Sequence, residues 1–293
     1  MTDGRDPGIL GRHPVVAFVA LTYVISWAIW GGMVLAGLSI ETTAGTILNV
    51  VATAGPSIAA LILAVALGGG ELGRLLGGFS LSRVSITWAL VAILLPLGMV
   101  GVAVAISVGA MGGATPVFTT AIIGTLLAEW VRVLFLGGPL EEELGWRGFA
   151  LPRMQAQRSA FSASLMLGLI WGLWHIPLYF VSGTGQAETI AGGGSGAAPM
   201  LIGAFVVWTM GLSVLFTWLF NVTRGSLIVA ILFHASVNLG AFVPGAIGST
   251  GAASTLYALV TWIVALLVVW RYTGGTLAGD RGKTAIVQEA APG

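Results

Sequence analysis

About eight runs of some 20 apolar residues divide this chain, each long enough to cross a hydrocarbon core of about 30 Å as a helix. They fall at roughly 14–38, 46–68, 86–111, 117–138, 161–182, 200–220, 225–247 and 253–271. A helix satisfies its own backbone hydrogen bonds, so segments this apolar enter lipid as helices packed on one another. The fold expected is all-α, a polytopic membrane helix bundle. Composition agrees, with 57% of the 293 residues hydrophobic and only 8% charged, against about 25% charged in an average soluble domain. The reading is a single transmembrane domain over residues 14–272, with a cytoplasmic segment at 1–13 and a flexible cytoplasmic tail at 273–293. The first run is too long for a signal-peptide core and lacks a cleavage site, so it is expected to stay as an anchor.

Positive charge marks the cytoplasmic loops of such chains. Arg5 and Arg12 precede the first run, Arg74 and Arg83 follow the second, and Arg147, Arg153 and Arg158 follow the fourth. Arg224 follows the sixth run and Arg271, Arg281 and Lys283 the eighth, whereas the loops near 39–45, 112–116, 183–199 and 248–252 hold no Lys or Arg. Both termini are therefore expected in the cytoplasm. A single lysine among the basic residues points to GC-rich coding and so to a bacterial plasma membrane. Arg132 lies inside the fourth run three residues after Glu129, a spacing that lets the two pair on one helix face.

Other classes lose support. A net charge of +1 with scattered basic residues gives no sign of nucleic-acid binding. The absence of cysteine excludes disulfides, thiolate metal sites and a cysteine nucleophile. The run Gly68-Gly69-Gly70 precedes no Lys-Ser or Lys-Thr pair, so there is no phosphate loop. No internal repeat supports an inverted-repeat transporter. The glycine-rich segment 183–199 reads as a flexible outer loop.

Ionisable groups kept at membrane depth usually line a pathway or do chemistry, and three polar clusters interrupt the apolar runs. The first is Glu142-Glu143-Leu144-Gly145-Trp146-Arg147, after a break expected at Gly137-Gly138-Pro139 and on a helix read over 140–154. Glu143 and Arg147, four apart with the acid first, can pair. Glu142, turned about 100° away, is left without that partner. The second cluster ends in His175, on the order of 20 Å along its helix, with Trp171 one turn earlier. In the third, Asn238 lies one turn after His234. A carboxylate that takes a proton from water makes a nucleophile, and imidazole can share that proton. Imidazole and amide N–H groups can hold an oxyanion. Ser236, the one hydroxyl in the set, points off the shared face, so water-mediated amide hydrolysis is the chemistry suggested.

These clusters, in this order on successive membrane helices, resemble the CAAX-protease and bacteriocin-processing family of intramembrane proteases, also called the type II CAAX or Abi family, over roughly residues 120–245. The resemblance implies Glu142 as the base, His175 as its assistant, and His234 with Asn238 as the oxyanion hole, while Glu143, Arg147 and Trp171 give structural support. Phenylalanine is common in the family where Trp171 stands here. Glu141 adds a third acid, which leaves open which of Glu141 and Glu142 is the working base. Family members are described both as metalloproteases and as metal-independent glutamate proteases. Glu142, His175 and His234 could hold zinc with an open position, but no compact His-Glu-x-x-His arrangement is present, so no cofactor is expected.

The function expected is an intramembrane endopeptidase acting on a membrane-associated peptide or protein, with its site open to the cytoplasm. Two alternatives use the same residues: a proton-coupled transporter, and a non-catalytic immunity or partner-binding membrane protein. The sequence names no substrate and no oligomeric state.

Overall fold

A computed structural model describes residues 11–194, 196–249, 252–272 and 276–278. Arg5, Arg281 and Lys283, and most of the expected terminal segments, lie outside the described residues. Among the described residues all regular structure is helical, as the apolar runs require. Seven helices are long and apolar enough to cross a membrane, or eight when one bent pair counts as a span. The protein is an integral membrane helix bundle.

Helix α1 (Pro14–Leu35) is followed by α2 (Thr43–Thr53) and α3 (Gly55–Leu67). The last two form the second expected span, bent by 46°. The bend has a chemical cause. Pro56 carries no N–H for the Ala52 carbonyl one turn earlier, and that carbonyl instead accepts the Ser26 hydroxyl at 2.7 Å. Short α4 (Glu71–Leu76) leads to α5 (Ile86–Met111) and α6 (Thr120–Leu136). The chain breaks at Gly137 and Gly138 and resumes as α7 (Pro139–Glu143), a π-helical turn (Leu144–Ala150) and α8 (Leu151–Gln155). The helix expected over 140–154 is thus present with a wide turn inside it. Pro152 cannot donate to that ladder, and the Arg153 side chain takes the Phe149 carbonyl at 2.9 Å.

Helix α9 (Ala160–Trp174) starts on Ser159, whose side chain accepts from the Ser162 amide, and runs into a 3-10 turn (Ile176–Tyr179). The loop expected at 183–199 is corrected in part, because it contains α10 (Gly185–Gly193). Thr184 caps this helix by accepting from the Ala187 amide at 3.2 Å, the local signal that composition alone obscured. Helices α11 (Ala198–Val222), α12 (Leu227–Ala246) and α13 (Ala252–Arg271) complete the bundle. Three residues of the expected tail are seated: Leu277 and Ala278 are buried, and Asn221 donates to the Thr276 carbonyl at 2.6 Å.

Helices α9 and α11 are in close contact at Gly168 and Gly172, one turn apart. A Cβ on Gly168 would stand 2.5 Å from Met210 Cα, and one on Gly172 would strike the Thr209 hydroxyl. Small residues at this spacing let two membrane helices touch backbone to backbone. Thr209 seals the contact by donating to the Gly168 carbonyl at 3.1 Å. The side chains of Trp171 and His175 are positioned from this contact.

Candidate active site

The three clusters converge. Glu142, Trp171, His175, His234 and Asn238 line one cavity of about 640 Å³. All but Asn238 are buried, with Glu142 3% exposed and His234 2%. Trp171, on α9, sits at the middle of the group. Its indole N–H donates to Glu142 Oε2 at 2.7 Å, and its ring meets those of His175 and His234 edge to face at 5.5 and 5.4 Å. The sequence presented Trp171 as packing; the structure shows that it also holds the spare carboxylate.

Beneath this layer lies a second one. Arg147 Nη1 donates to Glu143 Oε1 at 2.9 Å, with both side chains fully buried. The same oxygen accepts from His234 Nδ1 at 2.7 Å. The guanidinium carbon lies 3.7 Å from the ring centroid of Phe216 and 4.6 Å from that of Trp171, so aromatic faces stand where water would otherwise solvate it. The i,i+4 pairing read from the sequence is present, and His234 joins it as a third member that spacing could not reveal.

These bonds fix the imidazoles. His175 Nδ1 is 2.7 Å from the Trp171 carbonyl, which can only accept, so Nδ1 carries the hydrogen and Nε2 remains to exchange a proton. His234 Nδ1 likewise donates to Glu143, and Nε2 of the neutral ring has no hydrogen to give. An oxyanion donor at His234 therefore has to be the imidazolium. Asn238 Nδ2 donates to the Gly137 carbonyl at 3.1 Å, which leaves its other N–H for a ligand. Ser236 accepts from the Trp130 indole at 3.1 Å and stays off the shared face.

The two candidate bases are in different places. Glu141 Oε2 accepts from the Gly138 amide at 3.2 Å, and Glu141 is not among the residues lining the cavity. Glu142 Oε1 faces Gly138, where φ is +109° and a Cβ would strike that oxygen. Among the described residues, no three His, Asp or Glu side chains gather in a way that could hold a metal ion. The set Glu142, His175 and His234 does not fit one.

The cavity extends towards one end of the bundle. Its lining takes Ile40, Thr184, Gln186, Leu201 and Ser254, all at the end carrying the loops without Lys or Arg. Arg74, Arg83, Arg153 and Arg224 line a separate cavity at the other end. Lining residues of the two cavities thus lie towards opposite ends of the bundle. Glu129 and Arg132, paired at 2.6 Å, line the cavity from α6.

Fold and site together define a polytopic membrane bundle with a buried cluster of acid, guanidinium and imidazole groups. Residues 123–240 match the family described as type II CAAX prenyl endopeptidase Rce1-like. A CAAX prenyl protease 2 of Methanococcus maripaludis is 37% identical over 114 residues, which cover 38% of this chain and 40% of that protein. The similarity falls on the central part of the chain, where the three polar clusters lie. The match thus spans less than half the length of the curated relative.

Proposed function

We propose that the protein is an intramembrane endopeptidase that hydrolyses a peptide bond of a membrane-associated peptide or protein, without a metal. The observation that carries this is the convergence of Glu142, His175, His234 and Asn238 on one cavity. The likeness to a CAAX prenyl protease 2 supports it. Glu142 takes a proton from water as the oxygen attacks the carbonyl carbon, with His175 Nε2 sharing that proton. The N–H of a protonated His234, whose charge Glu143 balances, and the free N–H of Asn238 hold the tetrahedral oxyanion. The proton then passes to the leaving amine as the C–N bond breaks. Glu142, Glu143 and Arg147 together carry one net negative charge, so one retained proton leaves the buried cluster neutral, the state low-dielectric surroundings favour.

If the termini are cytoplasmic, as the charge rule leads one to expect, the lining residues at the ends of the loops without Lys or Arg favour access from the opposite face. Substrate then reaches the site from the non-cytoplasmic side or laterally from lipid. The two cavities have no lining residue in common, which favours a one-sided site over a transport path.

The test is hydrolysis of a peptide library by reconstituted protein, with and without a chelator. Glu142→Gln is expected to lower turnover by about 10² to 10⁴, the contribution of a positioned base, with thermal stability retained. Glu141→Gln keeps an oxygen for the Gly138 amide and is expected to stay active. Full activity in Glu142→Gln would overturn the assignment of the base, and inhibition by chelator the metal-free mechanism.

A further inference from the structure

The wall that α2 gives to the candidate active-site cavity carries a polar side chain with no part in the chemistry proposed above. Asn49 interrupts the apolar stretch Ile47-Leu48-Asn49-Val50-Val51 of α2 and lines the same cavity as Glu142 and His175. It lies outside residues 123–240, the part that matches the family. Its Oδ1 accepts from the Trp30 indole at 2.9 Å. An indole can only donate, so this bond decides which way the amide faces, with the oxygen on Trp30 and Nδ2 turned away from it. Among the described residues Nδ2 has no hydrogen-bond partner, and both of its hydrogens remain to be given.

Its placement is held from two sides. Two residues of α1, one turn apart, fasten α2: Ser26 donates to the Ala52 carbonyl at the bend, and Trp30 to Asn49. Trp30 is fully buried and packs on Trp174 at 4.8 Å, which in turn meets His175 at 4.8 Å. A row of rings therefore sets the amide relative to the imidazole. Thr53, one turn after Asn49 on the same face, also lines the cavity. Its methyl group and Glu142 Oε1 both lie within 4 Å of the point where a Cβ on Gly138 would stand, so Thr53 marks the level of the carboxylate on α2. Asn49 is one turn from that level, on the side of Ile40, another lining residue. One turn of helix advances about 6 Å and an extended peptide about 3.3 Å per residue, so the two levels are about two substrate residues apart.

We propose that Asn49 is a substrate-binding residue, whose Nδ2 donates to a main-chain carbonyl of an extended peptide about two residues from the scissile bond. The proposal rests on the peptidase reading given above. Because Trp30 engages the amide oxygen, Asn49 cannot accept from a peptide N–H and recognises only an acceptor. Every residue of a peptide carries such a carbonyl, so the contact sets the register of the chain over Glu142 without selecting a side chain. An unpaired amide donor in an apolar stretch is unfavourable, and a substrate carbonyl removes that cost. The contact is far from the reacting atoms and equally strong before and during the reaction, so it acts on KM rather than on kcat.

The experiment uses the full chain, reconstituted, and the best-cleaved peptide of the library described above. Asn49→Leu removes the donor and the acceptor together, whereas Asn49→Asp keeps an oxygen for Trp30 and removes the amide hydrogens. Each is expected to raise KM about three- to tenfold, the weight of one neutral hydrogen bond, while kcat holds; thermal unfolding reports that the variants are folded. The readout that packing alone would not move is a scan in which single thioamides replace the amides of the peptide in turn, since sulfur is a weak acceptor. At one position, about two residues from the scissile bond, the thioamide is expected to raise KM to a similar extent with the unmodified protein and to have no effect with Asn49→Leu. Equal thioamide penalties in the two proteins, or an unchanged KM in both Asn49 variants, would overturn the role of Asn49 and leave the peptidase reading standing. Failure of the unmodified protein to cleave any peptide of the library would overturn both.

Discussion

Replacing Arg147 by methionine tests the buried polar layer most directly. Arg147 and Glu143 are both fully shielded from solvent, and the pair is joined at 2.9 Å. Methionine keeps much of the side-chain volume against Phe216 and Trp171 but leaves Glu143 Oε1 with only the His234 contact at 2.7 Å. Removing one partner of a buried pair costs about 3–5 kcal/mol, because the other charge is stranded. At roughly 2–4 °C per kcal/mol for chains of this order of size, the unfolding temperature should fall by about 6–20 °C. The double variant Glu143→Gln with Arg147→Met removes both charges, and its new amide oxygen can still accept from His234 Nδ1. It should recover at least half of the loss. Thermal unfolding in detergent, followed by tryptophan fluorescence, reads both variants. A single variant as stable as the unmodified protein, or a double variant no better than the single, would refute the idea that a stranded charge is what Arg147 prevents.

Three further outcomes are expected. Gly138→Ala forces a side chain into φ +109° and against Glu142 Oε1; displacing the base should lower peptide hydrolysis about 10²-fold at a stability cost of about 1–3 kcal/mol, and unchanged turnover would refute the role given to that glycine. Trp171→Phe keeps a ring between the imidazoles but removes the N–H held by Glu142, a charge-assisted bond of about 1.5–3 kcal/mol, so kcat should fall by about tenfold or more while KM holds; an effect on KM alone would show that Trp171 contacts substrate instead. The chain has no cysteine, so Glu188→Cys on α10 and Arg158→Cys before α9 each give one reporter: an impermeant maleimide should label the first in intact cells and the second only after lysis, and the reverse pattern would put the mouth in the cytoplasm.

Much of the fold was legible because apolar length and helix span are tied by one rise per residue: the expected 86–111 run is α5 residue for residue. The bend in the second span was marked by Gly55-Pro56, but the Ser26 hydroxyl that makes it tolerable sits 26 residues away from its acceptor, beyond any local pattern. In the site, i,i+4 spacing foretold Glu143 with Arg147, since both lie on one helix. It could not foretell His234 on Glu143, 91 residues apart, nor the Trp171 indole on Glu142. Gly168 and Gly172 were a readable small-residue pair that the sequence reading passed over. Distance along a helix says how far a residue lies from either end, whereas the opening of a cavity depends on how the helices splay.

The break before Glu142 explains why the polar cluster contains more groups than the proposed hydrolysis needs. Within a bilayer every freed backbone group must find a partner in the protein. Gly137 and Gly138 interrupt the ladder between α6 and α7, and the side chains nearby absorb the consequences. Asn238 takes the Gly137 carbonyl and Glu141 the Gly138 amide, while the Gly138 carbonyl still receives the Glu142 amide at 2.8 Å. Glu141 is thus occupied by the backbone and Glu142 is released from it, so neighbouring acids acquire different duties from one kink. Asn238 serves the break with one N–H and keeps the other for the cavity. The irregular backbone and the polar constellation are one construction, in which the glycine that gives Glu142 room also creates the groups that hold its neighbours still.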